Sequence, residues 1–552
     1  VTALSESSPR AVFKGVRLEW VALAVLMAIA AALILWMGRG LTFFRDEWTF
    51  VIYRDGHEPA NFLSSYAGHL LLWPTALYVF LFRTVGLDHY EVYRLAALPW
   101  HLLCALLVFL LARRRVGDLV AIAPATVLLF LGSSWMDILW PFQVSFTGAI
   151  AFGLVAILLL ERDDLRGDAL ACACLTISLG WSGAGLPFVP GAAAGLLVRR
   201  RLWRRIWVPA VPTVFYLLWL AKYGEEHIDF GSVLRHVPDY ALHMIGAGIA
   251  GITGLPLEAG PYLALALGVL VVVRLWRLGR SSPLAWEALA MGLAFWGLTA
   301  IARVQDNDPE AVRYVYSSAV FLLLLAVGLA PAGVPRRGVA IGVLVLAALT
   351  IPSNIEDFEE GRDALLFTSN VTSAEVGAME LARDTVAPEY SPELNEFPGL
   401  PSTYFFAAVD RYGSSPGDSV AEIVTSPEYA RRRADRTSIA ALGVRLRPGE
   451  RLLAGLQSAC TVAGAAGNLD EGVLPLRGVE IGNHSDTALF VDLRRFARRF
   501  TREVGVVAPG HTAVLRVRKD RAPERPWHFR LRSAGWPRVC PEPVQAPAQR
   551  GT

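Results

Sequence analysis

The chain has 552 residues, 54% hydrophobic and only 18% charged, with a mean hydropathy of +0.42 and a net charge of +3. A soluble domain carries about a quarter charged residues, so the composition excludes a wholly water-soluble protein and implies an integral membrane protein with polar parts. The net charge is too small to argue for a nucleic-acid partner, and arginine clusters beside apolar runs account for it.

Arg10, Lys14 and Arg17 precede the first apolar run, 20–37. It has the length of a full span and no evident small-residue cleavage site, so it reads as a retained first span with its basic start inside. Leu41-Thr42-Phe43-Phe44-Arg45-Asp46-Glu47-Trp48 follows and sets two adjacent carboxylates just outside, among aromatic residues. Carboxylates at that depth are costly without a task or a partner.

The segment 69–86 contains Pro74 and Arg83 and reads as lying in or dipping into the outer leaflet. The next span, 95–112, ends in Arg113-Arg114-Arg115, which places that end in the cytoplasm. Runs at 119–131 and 142–160 flank an outer loop holding Asp137, with Gln143 just after it. The short pair 169–181 and 186–198 reads as two spans or a re-entrant hairpin, with the same parity either way. After Arg199-Arg200-Arg201 the run 206–221 goes out, and 241–256 rests on the membrane within an outer stretch. Runs at 262–273, 284–301, 315–330 and 339–351 complete about eleven spans, with the N-terminus inside and the C-terminus outside.

From 353 charge and proline rise and no run is long enough to span. Residues 373–384 read as one short helix, and 488–493, 512–518 and 527–532 as strands. The expected organisation is a polytopic α-helical membrane domain, 1–352, then an extracytoplasmic, mainly-β domain, 353–540, and a disordered tail, 541–552. Cys104, Cys172 and Cys174 lie in apolar runs as small core residues. An oxidising compartment would allow Cys460 and Cys540 to form a disulfide.

This topology gathers polar groups on the outer side: Asp46, Glu47, His69, Asp137, Gln143, Arg303, and Arg313 with Tyr314. A carboxylate takes a proton from an acceptor hydroxyl as general base. Arginines grip a phosphate and stabilise it as it leaves. A lipid-phosphate sugar, its tail in the bilayer and its head at the surface, is the substrate class such a set suits. Asp46, Glu47 and Asp137 also offer oxygen ligands to a divalent metal ion.

The order Asp46-Glu47 after span one, His69…Pro74…Tyr78, Arg94 before the next span, Arg113-Arg114-Arg115, Asp137 and Arg313-Tyr314 resembles the GT-C superfamily of membrane glycosyltransferases over about residues 15–350. That superfamily includes protein O-mannosyltransferases, lipid A aminoarabinose transferases and actinobacterial arabinofuranosyltransferases. The resemblance implies a polyprenyl-phosphate-linked sugar donor, a glycan, lipid or protein acceptor, and inversion at the anomeric centre. It implies Asp46 as the catalytic base, Asp137 as a second site carboxylate and Arg313 on the donor phosphate. One departure is the His-Pro-Pro-type run, here His69-Leu70-Leu71-Leu72-Trp73-Pro74.

Blander readings stand beside these. Asp46 and Glu47 pair with Arg39 or Arg45, Asp137 caps a short helix, His69 makes interfacial hydrogen bonds, and Arg313-Tyr314 anchors the chain in the aromatic belt. Two other classes compete with the enzyme: a transporter or flippase of lipid-linked sugars, and a non-catalytic glycan-assembly protein of the cell envelope. A transporter places charges near the midplane of its spans, whereas the runs here are nearly free of charge. The topology has a direct test. A reporter active only in the cytoplasm, fused after Ile351, is expected to stay dark; a bright signal reverses the arrangement.

Overall fold

The computed structural model describes residues 18–224, 233–278, 282–305, 308–333, 335–392, 401–451, 461–462, 470–500, 502–532 and 538–541. The chain divides into two compact units. The first comprises 1–39, 54–80 and 91–364, and the second 40–53, 81–90 and 365–552. Two stretches early in the sequence, including the one with Asp46 and Glu47, therefore belong with the C-terminal residues.

The first unit is helical. Among the described residues seven helices are long and apolar enough to cross a membrane, and eight if the bent pair Asp118–Leu129 and Gly132–Leu139 counts as one span. All eleven expected runs are helical, but Leu165–Trp181 and Trp207–Tyr223 have 17 residues and Phe188–Val198 has 11, short of the ~20 that a crossing needs. The helix over the segment expected at the interface, Leu72–Thr84, has 13 residues.

Burial ranks the helices. Val312–Leu329 has 83% of its apolar window buried, against 17% for Leu257–Arg277, so the former is central and the latter peripheral. Glycines let backbones approach: a Cβ on Gly148 would meet Trp181, one on Gly191 would meet Met291, and one on Gly328 would meet the backbone of Ala285. The basic ends are answered by acids and carbonyls. Arg113 forks onto Asp118 at 2.9 and 3.0 Å, Arg205 reaches Asp168 at 2.6 Å, and Arg115 donates to the carbonyl of Ala330 at 2.7 Å.

The expected helix at 373–384 is the end of a longer one, Ile351–Leu381, which follows Arg337–Leu349 after a break at Thr350. The sequence change at 353 marks a change of surroundings, not the end of the helix. Helices Ser402–Tyr412, Val420–Thr425 and Glu428–Ala441 follow. Among the described residues nine strands come next: β1 (Arg447–Arg451), β2 (Thr461–Val462), β3 (Asp470–Leu474), β4 (Val479–Gly482), β5 (Leu489–Arg494), β6 (Arg502–Val507), β7 (His511–Leu515), β8 (Trp527–Arg532) and β9 (Arg538–Pro541).

They form two antiparallel sheets, ordered β1-β7-β4-β9-β2 and β3-β8-β5-β6. Alternation puts Trp527, Phe529 and Leu531 of β8 on one face, where they share a core with Leu489, Val491 and Leu493 of β5 and Ile481 and Leu515 of the other sheet. The strand expected over 512–518 stops at Leu515. Beyond it the chain turns to bring Asp520 to Arg495, which is 2% exposed. Helices accompany the sheets in the second unit. Cys104 and Cys172 are buried thiols, as expected, whereas Cys174 is only half-buried. Cys460 and the tail after 541 lie outside the described residues, as does the side chain of Cys540.

Asp435, fully buried on helix Glu428–Ala441, accepts from the amides of Phe496 at 2.8 Å and Ala497 at 3.1 Å. Burial outweighs those bonds and pushes its pKa up to about 6. A raised folded value favours the protonated folded state. Its contribution is complete below about pH 4 and is lost as pH rises through 6. In Asp435→Asn the stability change across that window is expected to flatten by on the order of 2 kcal/mol, read from urea midpoints of the second unit by limited proteolysis at pH 4.5 and 6.5. An unchanged slope would exonerate this carboxyl.

Candidate functional site

In the first unit the site begins at a tight turn. Ala67 and Gly68 have φ of +48° and +78°, the left-handed pair that a two-residue turn with right-handed twist requires. Tyr66 and His69 close it with reciprocal backbone bonds, amide to carbonyl, of 3.1 and 2.9 Å. Arg54, 5% exposed, holds the approach to the turn by donating to the carbonyls of Asn61 at 2.8 Å and Ser64 at 3.1 Å.

His69 is half-buried. Gly183, in the short turn Gly183–Gly185, makes room for its ring: a Cβ there would lie 2.5 Å from Nδ1. Loss of water around the imidazole, then the nearby Arg303 and Arg313, push its pKa down to about 4. His69 is thus neutral at physiological pH.

Helix ends supply the two arginines. Arg303 ends Pro283–Arg303 and donates to the carbonyl of Ala67. Arg313 is the second residue of Val312–Leu329, and its Nη2 donates to the hydroxyl of Tyr314 at 3.3 Å. Tyr314 is 5% exposed, so it is a core residue and not an anchor in the aromatic belt.

Asp137 lies in the short helix Trp135–Leu139, buried, and caps no helix end. Its Oδ2 accepts from Ser134 Oγ at 2.8 Å, while Oδ1 has no hydrogen-bond partner among the described residues. Arg313 lies within electrostatic range of it. Gln143, in the next turn, is also buried, and its Oε1 has no such partner among the described residues. Between the Asp137 loop and the His69 turn lie aromatic rings. Phe142 stacks on Trp140 at 5.3 Å and meets Tyr66 at 6.2 Å and Tyr78 at 6.0 Å, ring centroid to centroid. The first unit thus brings together His69, Arg303, Arg313 and Asp137, with Gln143 and Tyr314 beside them.

Asp46 and Glu47 belong to the second unit. Glu47 is fully buried and accepts from the amide of Phe44 at 2.9 Å and the hydroxyl of Tyr90 at 2.8 Å. Reaching back three residues to an amide is the glutamate half of a capping box, and it fixes the start of helix Asp46–Tyr53. Phe43 packs on Tyr90 and Trp48 at centroid distances of 5.0 and 5.8 Å. Asp46, in the first turn of this helix, is half-buried.

Arg94 donates to the carbonyls of Ile34 and Leu35 at 2.9 and 2.8 Å, answering acceptors at the end of helix Leu18–Met37. Sequence reasoning missed Arg54 and Gly183. A lone arginine in a polar loop has no pattern, and a glycine's space is visible only once its neighbour is placed. Among the described residues no group of three His, Cys, Asp or Glu side chains is arranged to hold a metal ion. Comparison with protein-family models and with curated proteins finds no match for this chain.

The fit of His69 against Gly183 has a double-mutant signature. Gly183→Ala is expected to lower the thermal midpoint in detergent, and to do so far less in a His69→Ala background. The expected coupling is about 1 kcal/mol or more, as for residues in contact. Additive losses would mean the ring does not need that space.

Proposed function

We propose that the protein is a membrane glycosyltransferase that moves a sugar from a polyprenyl-phosphate-linked donor to a cell-envelope acceptor. The observation that carries this reading is a pair of arginines at the ends of apolar helices, both within electrostatic range of His69, one of which, Arg313, also lies within range of the buried Asp137. Arg303 and Arg313 flank a neutral His69, and Asp137 keeps one oxygen without a partner among the described residues. Cations at helix ends suit a lipid phosphate whose tail runs between the helices.

The transfer needs two things from the protein. As the acceptor oxygen bonds to the anomeric carbon, a carboxylate takes its proton. The bond from that carbon to the phosphate oxygen breaks, and the arginines stabilise the departing phosphate. The resemblance to GT-C enzymes assigns the base to Asp46, and the surroundings of Asp137 make it the competing assignment. Glu47, bonded to the amide of Phe44 and the hydroxyl of Tyr90, holds its loop. The reading takes about eleven crossings, three of them by the shorter helices of 11 to 17 residues, with a cytoplasmic N-terminus and the C-terminal residues outside the cytoplasm.

Purified, reconstituted variants test it with a polyprenyl-phosphate sugar. Asp→Asn at the base, whether 46 or 137, is expected to cut transfer by about 10²–10⁴-fold with donor binding nearly kept. Arg313→Ala is expected to weaken donor binding and turnover by about 1.5–3 kcal/mol. Lipid-linked sugar crossing the membrane without transfer would establish a flippase instead.

A further inference from the structure

The second unit carries a basic cleft that the transfer reaction does not use. Between positions 471 and 532 the chain has thirteen Lys and Arg against seven Asp and Glu, a net +6 in a chain whose total is +3. The cleft, of about 240 Å³, lies between the turn after β3 and the loop joining β7 to β8. Arg518, Lys519 and Arg525 line it, with Leu476 and Val473 at 71% and 57% exposure.

The loop that presents these cations is locked in place. Arg495 donates from Nη2 to Asp520 Oδ1 at 3.1 Å and from Nε to the carbonyl of Arg525 at 3.2 Å, and also bonds Ala522. Arg521 ties the loop to Asp384 with bonds of 2.7 and 2.9 Å, and its amide donates to the carbonyl of Leu381 at 3.0 Å. Asp520, the carboxylate in the lining, is committed to Arg495. Among the described residues no carboxylate lies within ion-pair distance of Arg518, Lys519 or Arg525. Three unpaired cations on a fixed loop attract an anion without paying to order the loop first.

We propose that this cleft binds an acidic sugar unit of a glycan, with Arg518, Lys519 and Arg525 taking its carboxylate or phosphate and Val473 and Leu476 meeting the C–H face of its ring. The cleft is smaller than the ~300–1,000 Å³ of a drug-sized site, which suits one substituted sugar rather than a long chain. The charge excess around it draws a polyanion to the site. This binding stands whether or not the first unit transfers sugars.

The test uses the full chain in nanodiscs of zwitterionic lipid. Trigalacturonate and phosphorylated pentamannose supply the two acid groups, and maltotriose is the neutral control. At least one acidic probe is expected to bind, to weaken with salt, and to protect 473–476 and 517–526 from hydrogen exchange. The variant R518A/K519A/R525A is expected to bind about tenfold or more weakly with an unchanged thermal midpoint. The proposal falls if neither acidic probe binds, if maltotriose binds equally, or if the triple variant binds like the parent. It also falls if phosphatidylglycerol added to the nanodiscs gives the same protection and the acidic probes do not compete, because the partner is then a lipid surface. Sugar transfer measured on the same triple variant separates this site from the reaction: lost binding with retained transfer sinks neither reading, and lost transfer through Arg313→Ala leaves the cleft untouched.

Discussion

The helix Val312–Leu329 has neighbours on nearly every side, so its polar groups cannot turn to lipid or water. Partners on adjacent helices answer two of them. The hydroxyl of Tyr316 meets His101 Nδ1 at 2.9 Å, and Ser318 accepts from Trp296 Nε1 at 3.1 Å. Small residues bring those helices close: a Cβ on Gly248 would strike Ser318. A helix fixed on this many sides holds its first turn still, and that turn carries Arg313 and Tyr314. The placement of one arginine of the candidate site is thus a consequence of core packing, not of a loop.

The second unit uses the same device with different chemistry. Its irregular segments are fixed by buried charged groups that bind backbone: Glu47 on the amide of Phe44, Asp435 on the amides of Phe496 and Ala497, and Arg495 on the carbonyls of Ala522 and Arg525. Each of these removes a charge from water and recovers the loss only with every partner in place. Such groups specify one loop shape at the expense of tolerance to substitution.

Apolar length and period were legible in the sequence. The spans appeared as runs, and β8 appeared at its observed bounds because alternation of Trp527, Phe529 and Leu531 with polar residues has no other reading. The helices at 402–441 were not legible; the apolar positions there are diluted by arginine and serve a core formed by distant residues. In the candidate site the residue types and their order were readable, and the division of labour was not. Nothing in Asp46-Glu47 says that the second carboxylate is turned inward to an amide and a tyrosine. Nothing in Arg94 says that it closes the end of the first helix. Those roles are set by groups some 40 to 60 positions away, at Tyr90 and at Ile34 and Leu35.

The turn at Ala67 bears on practical work with this protein. An L-residue with a side chain held at φ +48° sits in a well that costs roughly 1 kcal/mol relative to glycine. The neighbouring bonds absorb that cost, including the one from Arg303 to the carbonyl of Ala67, a contact that does not involve the methyl group. Glycine or asparagine at this position would keep the backbone bonds and relieve the torsion. For a protein that must survive extraction from its bilayer, the alanine marks a place where sturdiness is obtainable without altering any side chain of the candidate site.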